Sequence, residues 1–169
     1  TQPSGRLLWT PDLRHTIWLA ASRAARTPSR AEEDAQLNQE VIPPGTPYNP
    51  GMLPIFVTMR GNTDFASEHL EAYELGYRIK AAKHATIDIA TFYNVYHDLR
   101  TYEVGNPTPV LSATPYVEMP ISAVNNLDAK TYGMETAVDW RLADWCRLQA
   151  AYSYLKMRLR LKAGSSDAT

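Results

Sequence analysis

The chain has 169 residues, with 17 Lys and Arg against 18 Asp and Glu, for a net charge of −1. That balance excludes a nucleic-acid binder held by bulk charge, and the single Cys146 excludes an internal disulfide and a cysteine-cluster zinc site. No run of 18 apolar residues is present, so no helix can span a membrane, a test that says nothing of strands whose two faces alternate.

In chain order, the sequence opens at Thr1 without a Met, a signal peptide or a transit segment, which fits a mature start or an excised fragment. Two weaker strands come first, residues 6–10 and 16–26, joined by the short turn Pro11-Asp12-Leu13-Arg14. A long connection over residues 27–67 follows, rich in Pro, Gly and Asn, within which residues 55–59 read as one further short strand. Residues 70–81 alternate, with Tyr73, Leu75, Tyr77 and Ile79 opposed by Glu74, Gly76, Arg78 and Lys80. After a turn at Ala82-Lys83-His84, residues 85–97 place Ile87, Ile89, Thr91, Tyr93 and Val95 against Asp88, Ala90, Phe92 and Asn94. A second long connection, residues 98–122, again carries Pro and Gly.

The strand over residues 126–142 has the plainest pattern: Tyr132, Met134, Thr136, Val138, Trp140 and Leu142 on one face, and Thr131, Gly133, Glu135, Ala137, Asp139 and Arg141 on the other. The turn Ala143-Asp144-Trp145-Cys146 leads to residues 147–160, where Leu148, Ala150, Tyr152 and Tyr154 share a face. From Lys156 that parity becomes basic, through Arg158 and Arg160. Either a bulge near Leu155 exchanges the faces, or this part extends above the membrane. Residues 163–167 read as the start of another loop.

Strands of about ten residues or more exceed the usual five or six of globular sheets and match the roughly 9–11 tilted residues of a bilayer crossing. Short turns alternate with long loops, as in outer-membrane barrels. Centring the first clear hairpin on Lys83 pairs Ile79 with Ile87, Tyr77 with Ile89, Tyr73 with Tyr93 and Arg78 with Asp88, so like faces meet. Trp9, Trp18, Trp140 and Trp145 lie near short turns, while Tyr73, Tyr93, Tyr102, Tyr152 and Tyr154 lie towards the long loops, which predicts two aromatic girdles. The expected fold is all-β, an antiparallel meander of about six long strands forming part of a transmembrane β-barrel in a bacterial outer membrane.

Several segments are similar to a known family. Ser22-Arg23-Ala24-Ala25-Arg26-Thr27-Pro28-Ser29 resembles the end of a barrel strand in TonB-dependent receptors. Leu70-Glu71-Ala72-Tyr73-Glu74-Leu75-Gly76-Tyr77-Arg78 resembles their strand with a Tyr-Glu-Leu-Gly core, and Ala90-Thr91-Phe92-Tyr93-Asn94-Val95-Tyr96-His97-Asp98-Leu99 the strand that follows. Tyr132-Gly133-Met134-Glu135 matches a Gly-x-Glu strand start, and Ala150-Ala151-Tyr152-Ser153-Tyr154-Leu155 resembles the next strand. The resemblance implies a large barrel closed by a plug, importing siderophores, cobalamin or other scarce nutrients through the TonB complex. No plug, TonB box or terminal strand ending in an aromatic residue is read in the chain, so the expectation is a part of such a barrel. By itself it would neither close nor transport, and its two open edges would invite self-association.

Chemistry is sparse. No phosphate loop, His-Glu-x-x-His or Gly-x-Ser-x-Gly motif occurs, so no enzyme and no cofactor are expected. Glu32, Glu33, Asp34 and Glu40 read as a solvated charge run of the first loop. Arg23, Arg26 and Arg30 precede them; arginine suits bidentate binding of ligand oxygens, against pairing with the neighbouring acids or with lipid phosphates. Tyr48, Arg60, Tyr102 and Tyr116 are the other loop candidates for ligand contact. Glu74, Arg78, Asp88, Glu135, Asp139 and Arg141 are the expected lumen charges. His15 and His84 are expected to be solvated, and His69 faces His97 without an evident third ligand, so no metal is expected. The partners expected are outer-membrane lipid, the TonB complex and a small ligand such as a ferric siderophore, with no nucleic acid. The rival readings are a passive porin-like or structural barrel, and a soluble carbohydrate-binding β-sandwich with strands of five or six residues.

Overall fold

A long run of alternating polarity satisfies its backbone groups and sorts its side chains together only as a strand laid beside another. The computed structural model describes residues 1–165 and 167, and among them the regular structure is nearly all strand: β1 (Ser4–Trp9), β2 (His15–Arg26), β3 (Gln36–Ile42), β4 (Ile55–Arg60), β5 (Glu68–Ala82), β6 (Ala85–Val104), β7 (Thr108–Val110), β8 (Tyr116–Ala143) and β9 (Cys146–Leu161), with one short helix, α1 (Arg30–Asp34). Ser166, within the predicted closing loop, lies outside the described residues. The chain divides into two compact units.

Unit 1 comprises Thr1–Ala25, His69–His97 and Asp128–Arg160. It is a meander of neighbouring strands, β1 to β2 to β5 to β6 to β8 to β9. The hairpin of β5 and β6 has the register expected from centring on Lys83: Tyr73 opposes Tyr93, Tyr77 opposes Ile89, Arg78 opposes Asp88, Ile79 opposes Ile87, and His69 opposes His97. In β1 and β2, Leu7 opposes Leu19 and Trp9 opposes Ile17. The turn between them is fixed by Asp12, whose carboxylate accepts the N–H groups of Arg14 (2.7 Å) and His15 (2.9 Å). Those backbone donors, Arg14 first, hold the Asp12 carboxyl below the usual carboxylate range.

Unit 2 comprises Arg26–Glu68, Asp98–Leu127 and Leu161–Thr169. It corrects the picture of two long loops. The first contains α1 and β3 besides the expected short strand, which is β4; the second is mostly strand, because β6 runs on to Val104 and β8 begins at Tyr116. β3 and β4 are antiparallel, but β4 lies parallel to β8, with Ile55 opposite Val117 and Arg60 opposite Ser122. This parallel pair contrasts with the antiparallel hairpins of unit 1, and β7 pairs with β8 through Thr108–Glu118 and Val110–Tyr116. The turn over residues 43–51 is organised by Asn49, only 3% exposed, whose amide donates to the carbonyls of Ile42 (3.1 Å) and Leu53 (2.8 Å).

Candidate functional site

The two faces of unit 1 differ in chemistry. On the face that carries Glu74, Arg78 pairs with Asp88 across the β5–β6 ladder, and Asp139 pairs with Arg147 beside the β8–β9 turn. Glu74 and Glu135 share a hollow of about 440 Å³ with Trp18, Phe92 and Asn94. Asn94 donates to the Thr131 hydroxyl at 3.1 Å, which fixes Thr131 on this face. Arg141 is exposed, and its N–H donates to the carbonyl of His84.

Trp18 departs from the girdle expectation. It lies across Gly76, where any Cβ would overlap the indole, so it belongs to the Glu74 face and not to the tyrosine face. Arg6 stacks on the same indole, 5.5 Å from the ring centre. The sequence signal for this was present in parity: Trp18 opposes Leu8, whereas the tyrosine-side residues Ile17 and Leu19 oppose Trp9 and Leu7. His15 is a second departure. Expected to be solvated, it is part-buried, hydrogen-bonded through Nδ1 to the Tyr77 hydroxyl at 2.7 Å and stacked on that ring.

The other face of unit 1 is apolar and open. Leu7, Trp9, Leu19, Tyr73, Leu75, Ile89, Tyr93, Met134, Trp140, Leu142, Leu148, Tyr152 and Tyr154 are all exposed. So long a contiguous apolar surface demands a non-aqueous neighbour. Arg23 follows Leu19 and Ala21 in parity and lines a shallow groove with Glu71 and Tyr73.

Unit 2 gathers most of the remaining candidates. Arg26 donates to Glu68 (2.6 and 2.9 Å) and to Glu32 (3.1 and 3.0 Å). Arg100 donates to Glu32 at 2.7 Å, while its backbone N–H reaches Glu68 at 2.8 Å. Glu32 is only 7% exposed, which corrects the solvated charge run. Its position follows from a capping box: the Glu32 N–H reaches the Ser29 side chain, and the Glu32 carboxylate takes the Ser29 N–H (2.8 Å) and hydroxyl (2.9 Å). The Ser29-Arg30-Ala31-Glu32 spacing was the signal for it. The Arg26 guanidinium, helped by Ser29 and Arg100, outweighs burial and lowers the Glu32 carboxyl from 4.5 to about 2.

Arg60, which stands in β4 and not in a loop, makes a two-pronged bond to the buried Glu118 at 2.8 and 2.6 Å. Tyr102 lies in β6 and Tyr116 in β8, again strand residues where loops were expected. Arg100 lies over the Tyr102 ring at 5.0 Å. Tyr116 tilts against Phe56 at 4.5 Å, and the two share an apolar hollow of about 430 Å³ with Val41, Pro54 and residues 112–114. Tyr48 is 86% exposed, and Arg30 projects from α1 into solvent. The structure thus commits Arg26 and Arg60 to carboxylates and leaves Arg30, Tyr48 and the Tyr116 hollow open to a ligand. Glu32, Phe56 and Arg100 were not recognised in the sequence as members of a site.

Comparison with known proteins agrees with this geometry. A family model described as "TonB dependent receptor-like, beta-barrel" matches residues 1–169. No curated protein matches the chain. Among solved structures, the siderophore receptor PirA from Acinetobacter baumannii superposes with a TM-score of 0.66 at 17% identity, over 91% of this chain and 22% of that one. A ferric enterobactin receptor mutant from Pseudomonas aeruginosa in complex with enterobactin gives 0.65 at 20% identity, over 91% of this chain and 22% of that one. The FrpB iron transporter from Neisseria meningitidis gives 0.57 at 15% identity, over 94% and 20%. At these identities the likeness is one of fold, and the chain spans about a fifth of the length of each.

Proposed function

This chain belongs to the TonB dependent receptor-like β-barrel family, and from that premise we propose that it forms part of a larger outer-membrane barrel that imports a siderophore or a similarly scarce nutrient. The family is one of receptors, not of enzymes. The observation that carries the proposal is the two-faced build of unit 1. One face exposes tyrosines and aliphatic residues in a broad band suited to lipid, and the other carries Glu74, Arg78, Asp88, Glu135, Asp139 and Arg141, suited to a hydrated interior. A soluble sandwich would use short strands and bury the tyrosine face against a second sheet; here β5, β6, β8 and β9 run to 15, 20, 28 and 16 residues and that face is open.

In this proposal Arg30, Tyr48, Tyr102 and Tyr116 contact the ligand, Arg26 and Arg60 position the loops that carry them, and Arg23 faces the lipid side. Uptake is driven by the TonB complex acting through a plug elsewhere in the whole receptor. Produced alone, the chain presents open strand edges and is expected to self-associate.

The test is uptake of radiolabelled ferric enterobactin and of a panel of other ferric siderophores by cells lacking the gene, with and without a working TonB complex. Loss of uptake for one siderophore, equally complete without TonB, supports the proposal. Uptake that depends on the gene but persists without TonB would leave a passive pore, and unchanged uptake across the panel would remove the siderophore assignment.

A further inference from the structure

The outward face of unit 1 continues past its tyrosines into charge. Along β8 the outward positions read Trp140, Val138, Thr136, Met134 and Tyr132, and then Lys130 and Asp128. Along β9 they read Leu148, Ala150, Tyr152 and Tyr154, and then Lys156, Arg158 and Arg160. Along β6, Tyr93 and Val95 are followed by His97. A bulge at Leu155 would have turned the basic run inward. Instead the Arg158 guanidinium lies over the Tyr132 ring, 5.9 Å from its centre, so the run stays on the tyrosine side. The polarity of the strand's faces inverts there while its geometry does not.

His97, Asp128, Lys130, Arg158 and Arg160 line one groove of about 490 Å³. Lys130, Lys156, Arg158 and Arg160 are exposed, four cations against the one carboxylate of Asp128. Their height above the tyrosines identifies what they meet. Four residues of strand from Tyr154 to Arg158 rise roughly 13 Å along the strand, or roughly 10 Å along the normal at the usual barrel tilt. Lys156 lies about half as high. The interfacial layer on each side of the hydrocarbon core is about 5–7 Å thick. Lys156 therefore stands in the phosphate layer, Arg158 reaches down to it from just above, and Arg160 stands one step further out. Arginine, with its planar fork, matches phosphate oxygens in pairs. A ligand on its way through the barrel would not pass this side.

We propose that the groove between β6, β8 and β9 is a binding site for phosphorylated lipid headgroups of the outer leaflet, held by Lys130, Lys156, Arg158 and Arg160. The proposal rests on the outer-membrane barrel reading above. It adds a specific lipid contact that a merely hydrophobic belt would not make.

The experiment uses the intact receptor carrying this chain, purified in detergent and reconstituted in phosphatidylcholine vesicles, with diphosphoryl lipid A as the probe. Retained lipid A is counted by native mass spectrometry. The quadruple variant K130Q/K156Q/R158Q/R160Q is expected to lose lipid A affinity by at least about tenfold, since each cation near an anionic surface contributes on the order of fivefold. The single variants Arg158→Gln and Arg160→Gln, at exposed positions, are expected to lose several-fold each and guard against misfolding of the quadruple one. R14Q/K80Q/K83Q, at the short-turn end of β2 and β5, should leave binding unchanged. Unchanged lipid A binding in the quadruple variant overturns the proposal, and so does an equal loss in the short-turn variant. Displacement of lipid A by millimolar inorganic phosphate would make this a free-anion site and overturn the lipid assignment. A protein that fails to enter the phosphatidylcholine vesicles would overturn the barrel reading itself, an outcome visible before any lipid preference is measured.

Discussion

Unit 1 and unit 2 are held together in different ways. In unit 1 the ion pairs join near neighbours: Arg78 and Asp88 are ten residues apart, Asp139 and Arg147 eight. They decorate a ladder whose backbone bonds would hold without them, and exposed pairs of this kind contribute little. In unit 2 the partners are distant in sequence: 42 residues from Arg26 to Glu68, 58 from Arg60 to Glu118 and 68 from Glu32 to Arg100. Lys162 and Asp98 add another such tie. Where strands are short and connections long, side chains must supply the order that the ladder supplies elsewhere. A breach in one carboxylate should therefore matter more in unit 2 than any single charge in unit 1.

Glu32→Ala makes the sharpest cut. It removes a helix cap, takes from the Arg100 guanidinium its carboxylate and leaves Arg26 with Glu68 alone; because both arginines are partly exposed, the loss is expected to be about 3 kcal/mol, at the low end for a broken buried pair. Amide exchange in the intact receptor should rise over α1 and the end of β2 while the β5–β6 hairpin keeps its protection; a matching rise in the hairpin would break the contrast between the units. Gly133→Ala strikes unit 1 through its backbone. A Cβ there would overlap the carbonyl oxygen of Tyr154 and lie 2.8 Å from the Phe92 ring. Overpacking of this kind costs about 2 kcal/mol, and should appear as an earlier midpoint in urea unfolding followed by tryptophan fluorescence.

Acid should separate the units more gently. The Glu32 carboxyl is lowered from 4.5 to about 2 in the folded chain. A depressed carboxylate contributes stability that is fully present above its unfolded value and lost as pH falls through the folded one. Unit 2 should therefore open progressively from pH 4.5 towards pH 2. Protease nicking of residues 27–35 measures this, and Glu32→Gln should flatten the pH dependence. Smallest is Arg78→Ala, expected to cost less than about 1 kcal/mol, because both partners face water and a surface pair gains little. A double-mutant cycle with Asp88→Ala that returned several kcal/mol would erase the distinction drawn between the two units.

The same contrast governs what the sequence disclosed. The β5–β6 register could be written from alternation because one residue's slip would have moved every tyrosine to the wrong face. The outer part of β6 lies beyond Asp98, a non-glycine residue at a φ of 59° where the alternation breaks off while the strand continues. Pro109 and Pro120 read as loop, yet both stand in strands, Pro120 opposite Thr58 in the parallel pair. Trp18 lies near a short turn, yet its parity, opposite Leu8, sets it on the Gly76 face. The Glu32 cluster was missed for a different reason: its partners lie up to 68 residues away, and no local period records them. Four arginines, Arg23, Arg26, Arg30 and Arg60, were candidate ligand-binding groups in the sequence; in the structure two of them, Arg26 and Arg60, already hold carboxylates.

The parallel seam of β4 on β8 bears on the order of folding. Ile79 and Ile87 meet across 8 residues of chain, whereas Ile55 and Val117 meet across 62. Loop-closure entropy makes the longer closure less favourable by about 1.8 kcal/mol. The hairpin can zip as soon as both its arms exist; the seam must wait until β8 has been made and docked on β6. Pulse labelling during refolding into detergent should protect Tyr73 to Ile79 well before Ile55 to Arg60. Until then β4 has β3 on one edge and an open edge on the other, with apolar Ile55, Phe56 and Val57 in a row, and it is the segment of this chain most open to mispairing with another strand.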